Sequence, residues 1–166
     1  MGASLLLALM LALISAAPTN AFYRVENDHG DKARSKPRNN EIERVIRRLN
    51  RGDTAVVPRA FEMRRSLDGG GLEDLFIVLG CVATRYPRVF LEEAARQSLS
   101  PFELKQIVVA LPLDTVDNIA RMLDLLRSRA KSLESVTDPP LMVVRDGALA
   151  ALRAQVELLE PHAQPK

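Results

Sequence analysis

Hydrophobic residues recur with the period of an α-helix along most of the chain between residues 40 and 160. The first such segment places its apolar side chains at i, i+3, i+4 and i+7, and therefore on one helix face: Ile42, Val45, Ile46 and Leu49. No stretch alternates apolar and polar residues for long enough to indicate a β-strand. The pattern predicts an all-α protein of about seven helices, arranged in antiparallel hairpins because the connections are short.

The later helices have similar apolar faces, which we expect to point into the core. The predicted inward residues are Leu72, Leu75, Phe76, Leu79 and Val82 in the third helix; Phe90, Leu91, Ala94 and Ala95 in the fourth; Val116, Ile119, Ala120, Leu123, Leu126, Ala130 and Leu133 in the sixth; and Leu141, Val144, Ala148, Leu152, Val156 and Leu159 in the last.

Turn-forming residues mark the ends of the earlier helices. Gly52 follows the first helix at the position where a left-handed glycine is common, and Pro58 starts or kinks a second segment over residues 54–67. Arg51-Gly52-Asp53 also spells the adhesive tripeptide of integrin ligands, although a helix end and the cap of the next helix explain the same residues. The three glycines at 69–71 interrupt the chain, and we expect them to form a flexible joint between hairpins.

Capping residues mark the later helices. Ser100-Pro101-Phe102-Glu103 is the clearest local signal, because Ser caps, Pro fits the first helical position and Glu completes a capping box. Tyr86-Pro87 separates the third and fourth helices, and Pro112 ends the fifth. The sixth helix is expected to be capped by Asp114 or Thr115, and the last by Thr137 or Asp138.

The helices pair in a way that resembles a known architecture. Pairs open near Glu41, Leu72 and Pro101, at intervals of 31 and 29 residues, with helix-Pro-helix punctuation at Tyr86-Pro87 and Leu111-Pro112. This spacing resembles HEAT-type α-solenoids over roughly Glu41 to Leu133. The resemblance implies a short stack of helical hairpins and assigns no functional residue. A compact helical bundle is the alternative.

The N-terminus is typical of an export signal. No charged side chain precedes Arg24, and Leu5–Ala17 is an apolar run of 13 residues, long enough for a signal peptide and too short to span a bilayer. Cleavage is expected after Ala21, with Ala17 as the alternative. We therefore predict a signal peptide over 1–21, a periplasmic or secreted protein, and no transmembrane span in the mature chain.

The segments that flank the helices are polar and lack periodicity. Residues 22–39 are expected to form a flexible linker, residues 40–160 the helical domain, and residues 161–166 a disordered tail. Both histidines, His29 and His162, lie in these flanks, so serine- or cysteine-type catalysis has no base in the folded part. Cys81 is the only cysteine and has apolar neighbours, which predicts a buried, unreactive thiol.

The acidic residues offer little for catalysis or metal binding. Three carboxylate pairs stand out in the helical domain: Glu73 and Asp74, Glu92 and Glu93, and Asp114 and Asp117. Neighbouring helix residues point in different directions, and solvated faces and helix caps account for all six. One Cys with scattered acids does not supply a zinc site. The sequence therefore predicts a non-enzymatic protein without a metal or cofactor.

The most distinctive polar feature is a basic stripe on the first helix, made of Arg44, Arg47, Arg48 and Arg51. These residues lie about 200° from the apolar stripe of the same helix. They could bind anionic headgroups, envelope polymers or an acidic protein, or form an ordinary solvated face with Glu43–Arg47 and Glu41–Arg44 pairs. Nucleic acid is not expected as a partner of an exported chain.

These features favour a protein-binding or scaffold module in the cell envelope or the secreted space. An inhibitor or immunity-type protein that blocks an exported enzyme or toxin is the alternative. Both functions need export and a partner protein, and neither needs catalytic groups.

Overall fold

The computed structural model describes the backbone of residues 32–163 and the side chains of residues 40–163. Seven α-helices span this part of the chain, and they are α1 (Lys32–Asn50), α2 (Val57–Met63), α3 (Gly69–Arg85), α4 (Pro87–Arg96), α5 (Pro101–Val109), α6 (Ile119–Glu134) and α7 (Met142–Leu159). Short 3₁₀ turns connect several of them, and no strand occurs within residues 32–163. The all-α prediction is confirmed. The predicted signal peptide lies outside the described residues.

Two helices organise the packing. Helix α3 packs against α4, α5 and α6, and helix α7 packs against the same three helices. Contacts such as α4 with α7 join helices that are far apart in the chain, whereas a solenoid repeat touches only its neighbours. This arrangement is that of a compact bundle. Its core is aliphatic, and the rings of Phe61 and Phe90 pack together within it, with their centroids 5.7 Å apart.

The capping box that opens α5 forms as the sequence predicts. The Ser100 Oγ accepts a hydrogen bond from the backbone N–H of Glu103 at 3.2 Å, and the Glu103 carboxylate accepts one from the Ser100 N–H at 3.0 Å. Pro87 and Pro101 both stand in the first turns of their helices, as predicted. These signals are local in the chain, so neighbouring helices do not change them.

The three glycines do not form a separate joint. Helix α3 begins at Gly69 and includes all three, and Gly69 has a φ of +52°, a left-handed conformation that favours glycine. The first four N–H groups of any helix lack a partner within it, so glycine costs less in the first turn than in the interior. Burial of Leu75 and Leu79 farther along α3 holds this turn in place.

The start of the sixth helix was predicted too early. A 3₁₀ turn at Leu113–Thr115 precedes it, and Asn118 caps α6 by accepting a hydrogen bond from the Arg121 N–H at 2.9 Å. The turn buries Thr115, whose hydroxyl donates to the Pro112 carbonyl at 2.6 Å. As a result Val116 is 58% exposed, and the prediction that it points inward is wrong. Ala120 is exposed as well.

The outer limits of the helical part also differ from the prediction. Helix α1 begins at Lys32, inside the segment predicted to be a linker. At the other end, Glu160–His162 forms a 3₁₀ turn that continues from α7 into the predicted tail.

Candidate binding surfaces

The basic stripe lies on the solvent side of α1. All four of its arginines are exposed, while Ile42, Val45 and Leu49 of the same helix are buried. The Arg47 guanidinium pairs with Glu43 at 3.1 Å, as predicted. The predicted Glu41–Arg44 pair is replaced, because the Glu41 carboxylate lies 2.6 Å from Arg59 of α2.

The stripe is only partly neutralised. Arg48 pairs with Asp53 at 2.7 Å, and both side chains of this pair and of Arg47–Glu43 are more than a third exposed. Exposed ion pairs of this kind contribute about 0–1 kcal/mol, so another anion can compete for the arginines. Arg44 and Arg51 form no ion pair within the described part of the chain.

The adhesive tripeptide is built into the end of α1. Gly52 has a φ of +85°, and a Cβ at this position would lie 2.5 Å from the Tyr86 hydroxyl oxygen. The Asp53 carboxylate accepts a hydrogen bond from the Ala55 N–H at 3.2 Å and also binds Arg48. The interpretation as a helix end and a cap is confirmed.

An apolar groove lies between the first half of α3 and the second half of α5. It encloses about 370 Å³, and its lining consists mainly of Leu72, Phe76, Val109 and Ala110, with Gly69, Glu73 and Gln106 beside them. Leu72 and Phe76 are half-buried, and Glu73 is exposed without an ion pair among the described residues. The groove therefore presents apolar atoms and one free carboxylate to solvent.

The surface beyond this groove is also apolar. Leu113 follows Ala110 by three residues and therefore lies within about 11 Å of it, given the length of an extended chain. Leu113 is 66% exposed, and Val116 in the same connection is 58% exposed. Two exposed apolar side chains thus lie in the connection that follows α5.

In two of the three carboxylate pairs, the two carboxylates do not lie together in one site. Glu73 lines the groove beside α5, whereas Asp74 lines a smaller cavity against α1. The Asp114 carboxylate pairs with Arg121 at 3.3 Å, and Asp117 is exposed.

Glu93 is the one member of these pairs that is not on a solvated face. Its side chain is 7% exposed and accepts hydrogen bonds from Arg96 at 2.6 and 2.8 Å and from the Gln97 amide at 2.8 Å. It lines a cavity of about 370 Å³ between α4 and the turn before α2, together with its neighbour Glu92. The prediction of a solvated face is wrong for Glu93, because the chain closes over α4 at this point.

A buried arginine, which the sequence analysis missed, joins three helices. Arg129 of α6 is 3% exposed, and its guanidinium donates to the carbonyls of Val108 and Ala110, the latter at 3.0 Å. Its Nε donates to the Thr84 hydroxyl of α3 at 3.2 Å. Burial lowers the pKa of Arg129 to about 10, which leaves it charged at neutral pH. The charged guanidinium therefore lies against the carbonyls at the C-terminal end of α5, where the helix dipole favours a cation.

Two residues of α3 face this guanidinium. A Cβ at Gly80 would lie 2.8 Å from both terminal nitrogens of Arg129, so only glycine leaves room for it. An electrostatic interaction with Cys81 opposes the lowering of the Arg129 pKa, and Cys81 is half-buried rather than buried as predicted. One signal was present in the sequence, because residue 129 falls three positions after Leu126, on the apolar face of α6.

A second buried arginine links α2 to α5. Arg64 donates to the Phe61 carbonyl at 2.8 Å, and its guanidinium lies 3.2 Å from the Glu103 carboxylate. Hydrogen bonds from the hydroxyl and the N–H of Ser100, followed by the charge of Arg64, hold the pKa of Glu103 below its usual 4.5. The capping box is thus part of a contact between helices.

Residues 32–163 contain no group of three or more His, Cys, Asp or Glu arranged to hold a metal ion. None of the described helices combines the length and the apolar character needed to cross a membrane. Comparison with family models, with curated proteins and with solved structures finds no match to this chain.

Proposed function

We propose that the protein is an exported, non-catalytic protein-binding module that receives its partner in the groove between α3 and α5. The observation that carries the proposal is the apolar lining of this groove, where Leu72 and Phe76 are only half-buried. Apolar surface that continues over neighbouring residues marks interaction sites more often than isolated exposed residues do. In this groove the apolar lining comes from neighbouring residues of two helices, and Leu113 and Val116 add exposed apolar side chains in the connection after α5.

Charge at the groove defines the chemistry of the partner. Glu73 lines the groove, and Asp68 precedes Gly69 at the same end of α3. Both carboxylates are exposed and form no ion pair within residues 40–163. A partner segment with aliphatic side chains flanked by Lys or Arg would bury the apolar lining and neutralise these acids. An amphipathic helix of this composition fits a groove between two helices.

The test compares two variants, each of which replaces one aliphatic residue with glutamate. Leu72→Glu changes the groove, whereas Val143→Glu places the same charge on α7 at a position that is 84% exposed. Binding of a labelled amphipathic Leu/Lys peptide is measured by fluorescence anisotropy, and partners are captured from the exported fraction with each variant as bait. We expect Val143→Glu to bind like the wild type and Leu72→Glu to lose the peptide and the captured partner.

Two other results would change the conclusion. Equal binding by both variants and the wild type would refute the groove as the site. Capture of a single enzyme, with its activity blocked by the wild type but not by Leu72→Glu, would favour the inhibitor function over a scaffold.

A further inference from the structure

The positive charge of the chain is concentrated on α1. Residues 32–51 contain eight Lys or Arg and two Glu, a net charge of +6, although the whole chain has a net charge of only +2. The rest of the chain is therefore net acidic by four charges. The net charge of the whole chain therefore does not reveal that residues 32–51 are basic and the remaining residues are acidic.

The structure places the C-terminal part of this charge in an accessible position. Arg44 and Arg51 are exposed, lie about two helical turns apart and form no ion pair within the described residues. Arg47 and Arg48 engage only exposed carboxylates, which a competing anion can displace. Three arginines of α1, together with Arg51 directly after it, can thus face the same external anion.

The shape of the charged element indicates what kind of anion it fits. The 19 residues of α1 make a rod about 28 Å long, so its charges are spread along a line and not gathered in a pocket. A single phosphate would contact only one part of such a rod, whereas a surface of many anionic headgroups can contact all of it. The apolar residues Ile42, Val45 and Leu49 are buried in the core, so α1 has no apolar face to insert between lipids over residues 40–50, where its side chains are described.

We propose that α1 docks the protein on an anionic lipid surface through charge alone, without insertion. Docking in this way uses side chains that do not line the groove between α3 and α5. Each basic side chain near an anionic membrane surface strengthens binding about fivefold. The attraction weakens with salt, because charges are screened over about 10 Å at 0.1 M.

The test uses residues 22–166 and phosphatidylcholine vesicles with or without phosphatidylglycerol. Arg44→Gln/Arg51→Gln removes the two unpaired charges of the stripe. Its matched control, Arg85→Gln/Lys131→Gln, removes two exposed basic residues of α3 and α6 and gives the same net charge. Co-sedimentation at low salt should show the stripe variant binding anionic vesicles about 25-fold more weakly than the wild type, and the control less than about fivefold more weakly. Circular dichroism verifies that both variants fold.

Four outcomes would overturn the proposal. The first is wild-type protein that fails to bind anionic vesicles even at low salt. The second is an equal loss in both variants, which would mean a general response to net charge. The third is tighter binding to polyglutamate than to vesicles, which would assign the stripe to an acidic protein. Leakage of a dye trapped in the vesicles would show insertion and would also contradict docking by charge alone.

Discussion

Replacing Gly80 with alanine tests the contact between α3 and the buried guanidinium of Arg129. An added Cβ would lie 2.8 Å from the two terminal nitrogens and 2.9 Å from the central carbon of the guanidinium. A flexible arginine could move aside cheaply at a surface. Here it is 3% exposed and bonded to the carbonyls of Val108 and Ala110, so any movement breaks those bonds.

The magnitude follows from three effects. Overpacking of a core costs about 1–3 kcal/mol, and weakening a hydrogen bond from a charged donor costs about 1.5–3 kcal/mol. Against these costs, the higher helix propensity of alanine stabilises a helix interior by about 1 kcal/mol relative to glycine. We therefore expect Gly80→Ala to lower the free energy of unfolding by about 1.5–5 kcal/mol, which for a domain of this size corresponds to a fall in Tm of roughly 5–15 °C.

Gly147→Ala in α7 is the matched control. A Cβ there would lie 3.5 Å from Leu104 Cδ2, an ordinary contact, so the helix propensity of alanine should dominate and stability should rise by up to about 1 kcal/mol. Urea unfolding followed by circular dichroism measures both variants. If Gly80→Ala is as stable as Gly147→Ala, then Arg129 does not occupy the space above Gly80 and the contact described above is wrong.

Three other measurements test separate parts of the protein. Leu123→Asp should lower the free energy of unfolding in urea by at least about 3 kcal/mol, because the Leu123 side chain is only 4% exposed. Ala120→Asp, at an exposed position of the same helix, should lower it little. Similar stability of the two variants would mean that the inward face of α6 is misassigned. Ser100→Ala should cost about 1 kcal/mol at neutral pH. Its cost should shrink in acid, because the lowered pKa of Glu103 gives stability above pH 4.5 that is lost as the pH falls through the folded-state value; a cost independent of pH would contradict this. N-terminal sequencing of the exported protein should begin after Ala21, and recovery of Met1 on a cytosolic product would refute export.

Local signals made much of the fold predictable from the sequence. The capping box at Ser100 and Glu103 needs only residues three apart, so no distant contact can hide it. The apolar stripe of α1 was equally clear, since Ile42, Val45 and Leu49 repeat with the helical period. The glycines at 69–71 misled the prediction because the cost of glycine depends on its position in a helix, and only the buried contacts of α3 fix where that helix starts.

The buried polar contacts required the three-dimensional structure. The position of Arg129 on the apolar face of α6 indicates burial, but its partners Thr84 and Val108 lie on two other helices, which no pattern along the chain identifies. Glu93 belongs to an apparently solvated acidic pair, and only the packing around α4 buries it. The groove between α3 and α5 likewise depends on how these helices pack, which helical periodicity does not specify.

The fit between Gly80 and Arg129 also limits the order in which this chain can diverge. A larger residue at position 80 destabilises the protein unless the arginine has been shortened, because the two occupy the same space. Shortening Arg129 first leaves a void above Gly80 and removes the donor from the carbonyls of Val108 and Ala110. Either single step passes through a less stable protein, so each residue preserves the other, and descendants of this chain should keep both or replace both together.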